Sequence, residues 1–268
     1  MTIPILAASI LGLLERLPQV RFRAAPFWRP HAMTDAVYLA TGYVAVSSLA
    51  LAYVAVTSAW IGAHTGLPAW WLHVPFVAQV LAALIALDLG NFGCHLLLHR
   101  VDLLWRFHEA HHSSPHLDWL ATFRSHLVEQ IVRRLLAPLL VIALGIPMPA
   151  VALAVAVLLG WVMLNHANVR LPLDRFEGVV VTPRLHRAHH MPATTERNLG
   201  GVFTWWDRLL GTFVVSDPSP ERPFGLPQRR PAYPQDWARQ LVAPFALRAA
   251  SATSPAGISD RVRAGAVP

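Results

Sequence analysis

The chain has 268 residues, 54% of them hydrophobic and only 14% charged, with a mean hydropathy of +0.43. Soluble domains carry about a quarter charged residues, so the composition argues against a water-soluble domain and for an integral membrane protein. All 22 basic residues behind the formal charge of +7 are Arg, scattered beside apolar runs rather than clustered, which argues against nucleic-acid binding; the single Cys94 excludes a disulfide scaffold, a Cys-ligated iron–sulfur cluster and a Cys-rich zinc site.

Residues 1–35 open with MTIPILAASILGLLERL, apolar but without a basic leading region or a small-residue cleavage site. This segment reads as an interfacial, amphipathic stretch rather than a signal peptide. A helix of about 20 apolar residues crosses a bilayer core of about 30 Å. Ala36 to Trp60 meets that length without a charge, and Val74 to Leu98 meets it with Asp88, Asn91 and His95 towards its end. Arg134 to Ile146 and Pro149 to Leu164 are shorter apolar runs joined by GIPMP, and they predict a membrane hairpin. The expected fold is therefore all-α. It is an integral membrane bundle of about four transmembrane helices, two single spans plus a hairpin, with a cytosolic helical cap. Residues 36–215 form the expected catalytic domain, and residues 216–268 the expected Pro-rich, disordered tail.

Arg16, Arg21, Arg23 and Arg29 precede the first span, and Arg100, Arg106, Arg124, Arg133 and Arg134 follow the second. Arg170, Arg175, Arg184 and Arg187 follow the last, whereas the two intervening connections carry no Arg. Positive residues stay on the cytoplasmic side, so every Arg-bearing segment is expected there. The Ala-, Arg- and Pro-rich composition without Lys fits a GC-rich bacterial genome, hence an inner membrane.

Three histidine clusters lie at that same face: His95 and His99 in HLLLH, His108, His111 and His112 in HEAHH, and His186, His189 and His190 in HRAHH. Residues three and four apart share a helix face, so each cluster aims two or three imidazoles one way. Neutral imidazole suits zinc, iron, copper and nickel, and two HxxHH copies predict facing half-sites of a binuclear centre. His166 in NHANV, at the end of the last span, is a ninth candidate ligand. An all-nitrogen set without a carboxylate bridge leaves the charge of the centre high, which suits O2 activation by iron more than water activation.

Several supporting residues are ambiguous. Asp88, two turns before His95, orients a ligand or packs helices. Asn165 and Asn168 hold a metal-bound water or cap a helix end. His126 is a ligand, a supporting residue or a surface histidine paired with Glu129. Asp207 supports the third cluster or, with Arg208, closes a salt-bridged helix end. Trp105, Phe107, Trp119, Phe123, Phe203, Trp205 and Trp206 line a substrate tunnel or anchor the chain at the interface. His31, His64, His73 and His116 are expected to be uninvolved.

DLGNFGCHLLLHR, LWRFHEAHHSS, FRSHLVEQ, NHANV and TPRLHRAHH, followed by RNLGGVFTWWDRLLGTF, carry a resemblance from Asp88 to Phe213. They resemble the fatty acid hydroxylase and sterol desaturase superfamily of membrane-bound di-iron enzymes. The stretch HEAHHSSPHLDWLATFRSH looks most like its alkylglycerol monooxygenase and bacterial sterol-desaturase-like branch. The resemblance implies that His95, His99, His108, His111, His112, His166, His186, His189 and His190 hold two iron ions, with zinc as a substitute in purified protein. His108, His111, His112, His186, His189 and His190 carry the catalytic centre. It implies O2-dependent hydroxylation or desaturation of a membrane lipid, fatty acyl or sterol in kind. Electrons then come from an external ferredoxin, cytochrome or reductase, since the chain shows no haem, flavin or nicotinamide fingerprint.

Two other readings compete. His108, Glu109 and His112 spell H-E-x-x-H, which in an intramembrane zinc protease binds one zinc and activates water. A metal transporter would use the same ligands without chemistry, although transport sites favour the bilayer midplane.

Overall fold

The computed structural model describes residues 2–26, 28–65, 67–218, 224–226 and 232–246. Within them the protein is all-helical, with two isolated bridges, Arg21 to Val169 and Val180 to Phe203, in place of any sheet. Helix α1 (Thr2–Leu14) is followed by α2 (Ala32–Tyr38), a π-helical stretch (Leu39–Val44) and α3 (Ala45–His64), the last three continuous. Then come α4 (Leu67–Trp71), α5 (Phe76–Arg100) and α6 (Asp102–His112), a 3₁₀ turn (Trp119–Phe123), α7 (Leu127–Leu136), α8 (Leu139–Ala143) and α9 (Met148–His166). Helices α10 (Pro183–His189), α11 (Trp205–Leu210) and α12 (Trp237–Ala246) complete the set.

Three helical runs, Ala32–His64, Phe76–Arg100 and Met148–His166, are long and apolar enough to cross a membrane. The protein is a helical membrane protein, as its composition requires. The first hairpin arm departs from the expected four spans. It forms two pieces, α7 and α8, interrupted at Ala137–Pro138, because a proline ring cannot sit against the preceding turn. Gly145, at φ 62°, then takes the left-handed turn that leads into α9. Leu144 accepts a hydrogen bond from the Trp71 indole at 2.8 Å, so the broken arm reaches the end of the bundle remote from the histidines.

Helices α5 and α9 form the central pair, and Leu84, Leu87, Val141, Ala150, Val151 and Ala154 fill the space between them and α8. Gly90 lets the chain approach closely here: a Cβ would stand 2.2 Å from the Ala137 carbonyl oxygen. Helix α1 packs on α9 and on the 3₁₀ turn through Leu11, Phe123 and Met163. Its other face exposes Ile5, Leu6 and Leu13, as a helix lying against lipid would. Within the stretch read as a Pro-rich tail, α12 folds back onto α2 and α6, and residues 247–268 lie outside those described.

Candidate metal centre

Each histidine cluster occupies a helix end that the sequence shapes locally. His95 and His99 stand on the last two turns of α5, and His166 is the last residue of α9. Helix α6 carries His108, His111 and His112 in its final turns. Helix α10 starts on Thr182, whose hydroxyl accepts from the Leu185 N–H, with Pro183 at the first helical position where its missing N–H costs nothing. That start fixes the face on which His186, His189 and His190 project.

The nine side chains converge in two groups. His95, His99, His108, His112 and His189 have ring nitrogens within 4.8 Å of one another, and so do His111, His166, His186 and His190. The division crosses the motifs. HEAHH gives His108 and His112 to one group and His111 to the other, and HRAHH gives His189 to the first and His186 and His190 to the second. The expected facing half-sites, one per motif, are thus replaced by two interleaved sites, because positions three and four along a helix diverge enough to serve neighbouring centres.

Ring orientation follows from what holds Nδ1. His95 Nδ1 donates to the Leu199 carbonyl at 2.7 Å, His111 to Arg124 at 3.0 Å, His166 to Val162 at 2.9 Å and His189 to Arg197 at 2.8 Å. His108 Nδ1 donates to the Glu129 carboxylate at 3.0 Å. A carbonyl oxygen only accepts, so these Nδ1 atoms carry the proton and each Nε2 is a bare lone pair. Yet Nε2 of His95 lies 3.1 Å from that of His108, and Nε2 of His111 lies 3.2 Å from that of His166. Two lone pairs at such a distance repel unless a cation lies between them. Adjacent nitrogens about a metal with bonds of about 2.1 Å fall about 3.0–3.4 Å apart, which these separations match. His189 Nε2 and both ring nitrogens of His112 are buried without a partner, again fitting a cation.

Electrostatics point the same way. Burial, and next the neighbouring imidazoles, push His111, His112, His186 and His190 well below the ordinary histidine range, and the same holds for His108 and His189. Neutral rings are the ligating form. The donor set therefore fits two nitrogen-ligated transition metals.

The supporting residues sit differently from several expectations. Asp88 touches no histidine. It accepts from the Val202 and Phe203 N–H groups at 2.8 and 3.0 Å and from the Trp206 indole at 2.9 Å. Asp207 accepts from Leu199 N–H at 2.8 Å, Gly200 N–H at 2.7 Å and Thr212 Oγ1 at 2.6 Å. Together they hold the 199–206 loop whose Leu199 carbonyl orients His95. His126 is neither a ligand nor the partner of Glu129: its ring caps α7 through the Val128 N–H and donates from Nε2 to the Leu241 carbonyl. Asn168 exchanges hydrogen bonds with the Arg23 backbone, and Asn165 donates to the Gly201 carbonyl at 2.8 Å. Arg208 lies over the Phe213 ring and donates to the Glu177 carbonyl. Glu129, which sequence reasoning did not single out for the centre, bonds His108 and accepts from Arg133 at 2.9 Å. Glu109 is buried but is not among the side chains whose ligand atoms converge in either group.

An apolar cavity of about 470 Å³ reaches the centre between α3, α5, α7 and α9. It touches His111, His166 and His186 of the four-histidine group but only His95 of the other. Of the expected tunnel aromatics only Phe123 lines it. Trp105 lies instead against the rings of His99 and His112, and Phe203 stacks on Trp205.

The fatty acid hydroxylase family model matches residues 80–212, the stretch that holds every one of these histidines. Residues 80–212 belong to the fatty acid hydroxylase family. Relatives of the chain include the ornithine lipid hydroxylase OlsE of Rhizobium tropici, 34% identical over 146 residues, covering 54% of this chain and 44% of that protein. The alkylglycerol monooxygenase of Danio rerio is 27% identical over 206 residues, covering 76% and 39%. The human alkylglycerol monooxygenase is 28% identical over 139 residues, covering 51% and 31%. The chain spans less than half the length of these relatives. No solved structure matches it.

Proposed function

We propose that this chain is a membrane-bound, non-haem di-iron lipid hydroxylase. One observation carries the reading: bare imidazole nitrogens face one another at 3.1 and 3.2 Å in two groups, and an apolar cavity reaches them. His95, His99, His108, His112 and His189 would hold one iron, and His111, His166, His186 and His190 the other. The pair of ions, when bound, supplies O2 activation. A C–H bond becomes C–OH, and the second oxygen leaves as water, with two electrons from an external one-electron carrier and two protons.

The chain's own residues do the rest. The Leu199, Arg124, Val162 and Arg197 carbonyls and the Glu129 carboxylate fix five rings in the ligating tautomer. The buried cap excludes bulk water. The cavity walls hold an aliphatic chain against the four-histidine group. The names of the relatives support a polar lipid as substrate and hydroxylation over desaturation. Residues 36–215 form the catalytic unit, and the Arg-rich side, with the centre, faces the cytoplasm of a bacterial inner membrane.

The test compares the lipids of a strain expressing the chain with those of a His189→Ala strain, under air and with a competent electron donor. A product heavier by one oxygen, labelled by ¹⁸O2 and absent in the variant, is expected. Purified protein should bind two metal ions, and the variant fewer. Two ions in the variant with undiminished product would refute the reading.

A further inference from the structure

The cavity is not uniform along its length. Met148, Val151, Ala152, Val155, Leu158, Leu159, Val162 and His166 mark one face of α9. At 1.5 Å per residue this face extends about 27 Å from Met148 to His166. Away from the histidines the walls are aliphatic: Leu51, Val54, Leu87 and Val155. Close to them the walls turn polar, with Thr122, Ser125, Gln130 and Asn165.

Each of these four residues carries a buried polar atom with no protein partner: Thr122 Oγ1, Ser125 Oγ, Gln130 Oε1 and Asn165 Oδ1. Gln130 and Asn165 are 3% and 0% exposed. Their amide orientations are fixed, since Gln130 Nε2 donates to the Ser125 carbonyl at 3.0 Å and Asn165 Nδ2 to Gly201 at 2.8 Å. Both free atoms are therefore acceptors. An unpaired buried polar group costs about 1–3 kcal/mol, so these four, gathered near the histidines in a cavity whose lining also includes Ser47, Asn91, Glu129, Arg133 and Arg134, call for a ligand that pairs them. Two acceptors and two hydroxyls are paired best by a ligand that donates.

Building on the hydroxylase reading, we propose that this end is a subsite for the hydrogen-bond-donating head of a polar lipid. That head is a hydroxyl or an amide N–H, and a single aliphatic chain extends from it along α9. The oxidised C–H then lies a few bonds from the polar group rather than towards the chain end. A plain hydrocarbon pairs none of the four atoms, and an acceptor-only ester can meet only the two hydroxyls, leaving both amide oxygens unpaired.

The experiment uses zinc-loaded full-length protein in nanodiscs and four sixteen-carbon probes: hexadecanol, N-methylhexadecanamide, methyl hexadecanoate and hexadecane. Competition against a fluorescent lipid reads their affinities. At least one donor probe should bind about tenfold tighter than both the ester and the alkane, and the two donor arms tell hydroxyl from amide. Thr122→Val with Ser125→Ala deletes only partnerless hydroxyls and should cut that preference to about threefold or less. Gln130→Leu, read separately, should do the same. Equal binding of all four probes, or an intact preference in both variants, overturns the subsite. With iron, O2 and a reductant, product should carry oxygen within about three carbons of the head, and oxidation spread along the chain overturns the orientation. A preserved binding preference with no O2-dependent product from any probe instead keeps the subsite and sinks the hydroxylase reading.

Discussion

Glu129 does for His108 what backbone carbonyls do for His95, His111, His166 and His189, but it brings a full negative charge, shared with Arg133. Removing a group that orients a metal ligand costs about 10–100-fold in metal affinity. Glu129→Gln should weaken the five-histidine site about tenfold and Glu129→Ala more, leaving the four-histidine site intact. Chelator competition with metal analysis should show one ion lost before the other. The convergence of nine histidines was legible because imidazoles at three- and four-residue spacing on an apolar chain have few other uses. The supporting residues were less so. Four of the five Nδ1 anchors are backbone carbonyls, which leave no mark in sequence. Asp88 sits on the expected face, two turns from His95, but loop N–H groups occupy its oxygens. His126 to Glu129 looks like a helical pair, yet His126 is the cap, and its ring turns back onto Val128 instead of following the helix face.

Among the elements, the first arm of the expected hairpin shows where hydropathy reading loses resolution. Arg134 to Ile146 is apolar enough for a membrane, but Pro138 divides it, and Arg133 and Arg134 line the cavity instead of flanking a span. Charge inside a bundle is tolerated where it is paired. Arg134 donates to Ser47 Oγ at 2.9 Å and lies over the Tyr43 ring. The break packs on α5 at Gly90, and Gly90→Ala should push the elements apart, costing at least about 1–3 kcal/mol. A lower thermal midpoint in detergent checks it. The N-terminal helix is clamped by a different device. Glu15 Oε1 accepts from both Trp119 N–H and Asn168 N–H at 2.8 and 2.9 Å, while burial, then Asp118, raises its pKa from 4.5 to about 7. Between those values the folded state keeps a proton the unfolded chain has released. The associated stability is therefore complete below pH 4.5 and lost as pH rises through about 7. Glu15→Gln keeps an oxygen for both N–H groups and should flatten that part of the stability profile, measured as thermal midpoints from pH 4 to 8. An unchanged slope would assign it to other groups.

For the whole molecule, the two histidine groups are unequal in access, and that asymmetry follows from topology. Helices α5 and α9 run parallel and bring His95, His99 and His166 at their C-terminal ends together, while α6 and α10 close over them as a cap. Helix α3 packs on α7 and α8, and α9 packs on α1, α5 and α10, so the cavity between α3 and α9 is bounded by walls that barely touch each other. On the hydroxylase reading proposed above, an aliphatic chain would enter through that gap and lie along α9 without crossing the polar cap. Composition and hydropathy predicted the bundle and its histidine-bearing end, but the gap depends on how α3 leans, which no residue pattern encodes. Val155 lines the cavity about 16 Å from His166 along the helix. Val155→Trp should block the aliphatic end there and leave the polar end untouched. In a homologous series of lipids, products from chains long enough to pass Val155 should fall at least about tenfold, while shorter chains keep their turnover and both metals stay bound. An equal loss at every chain length would place the lipid elsewhere than along α9.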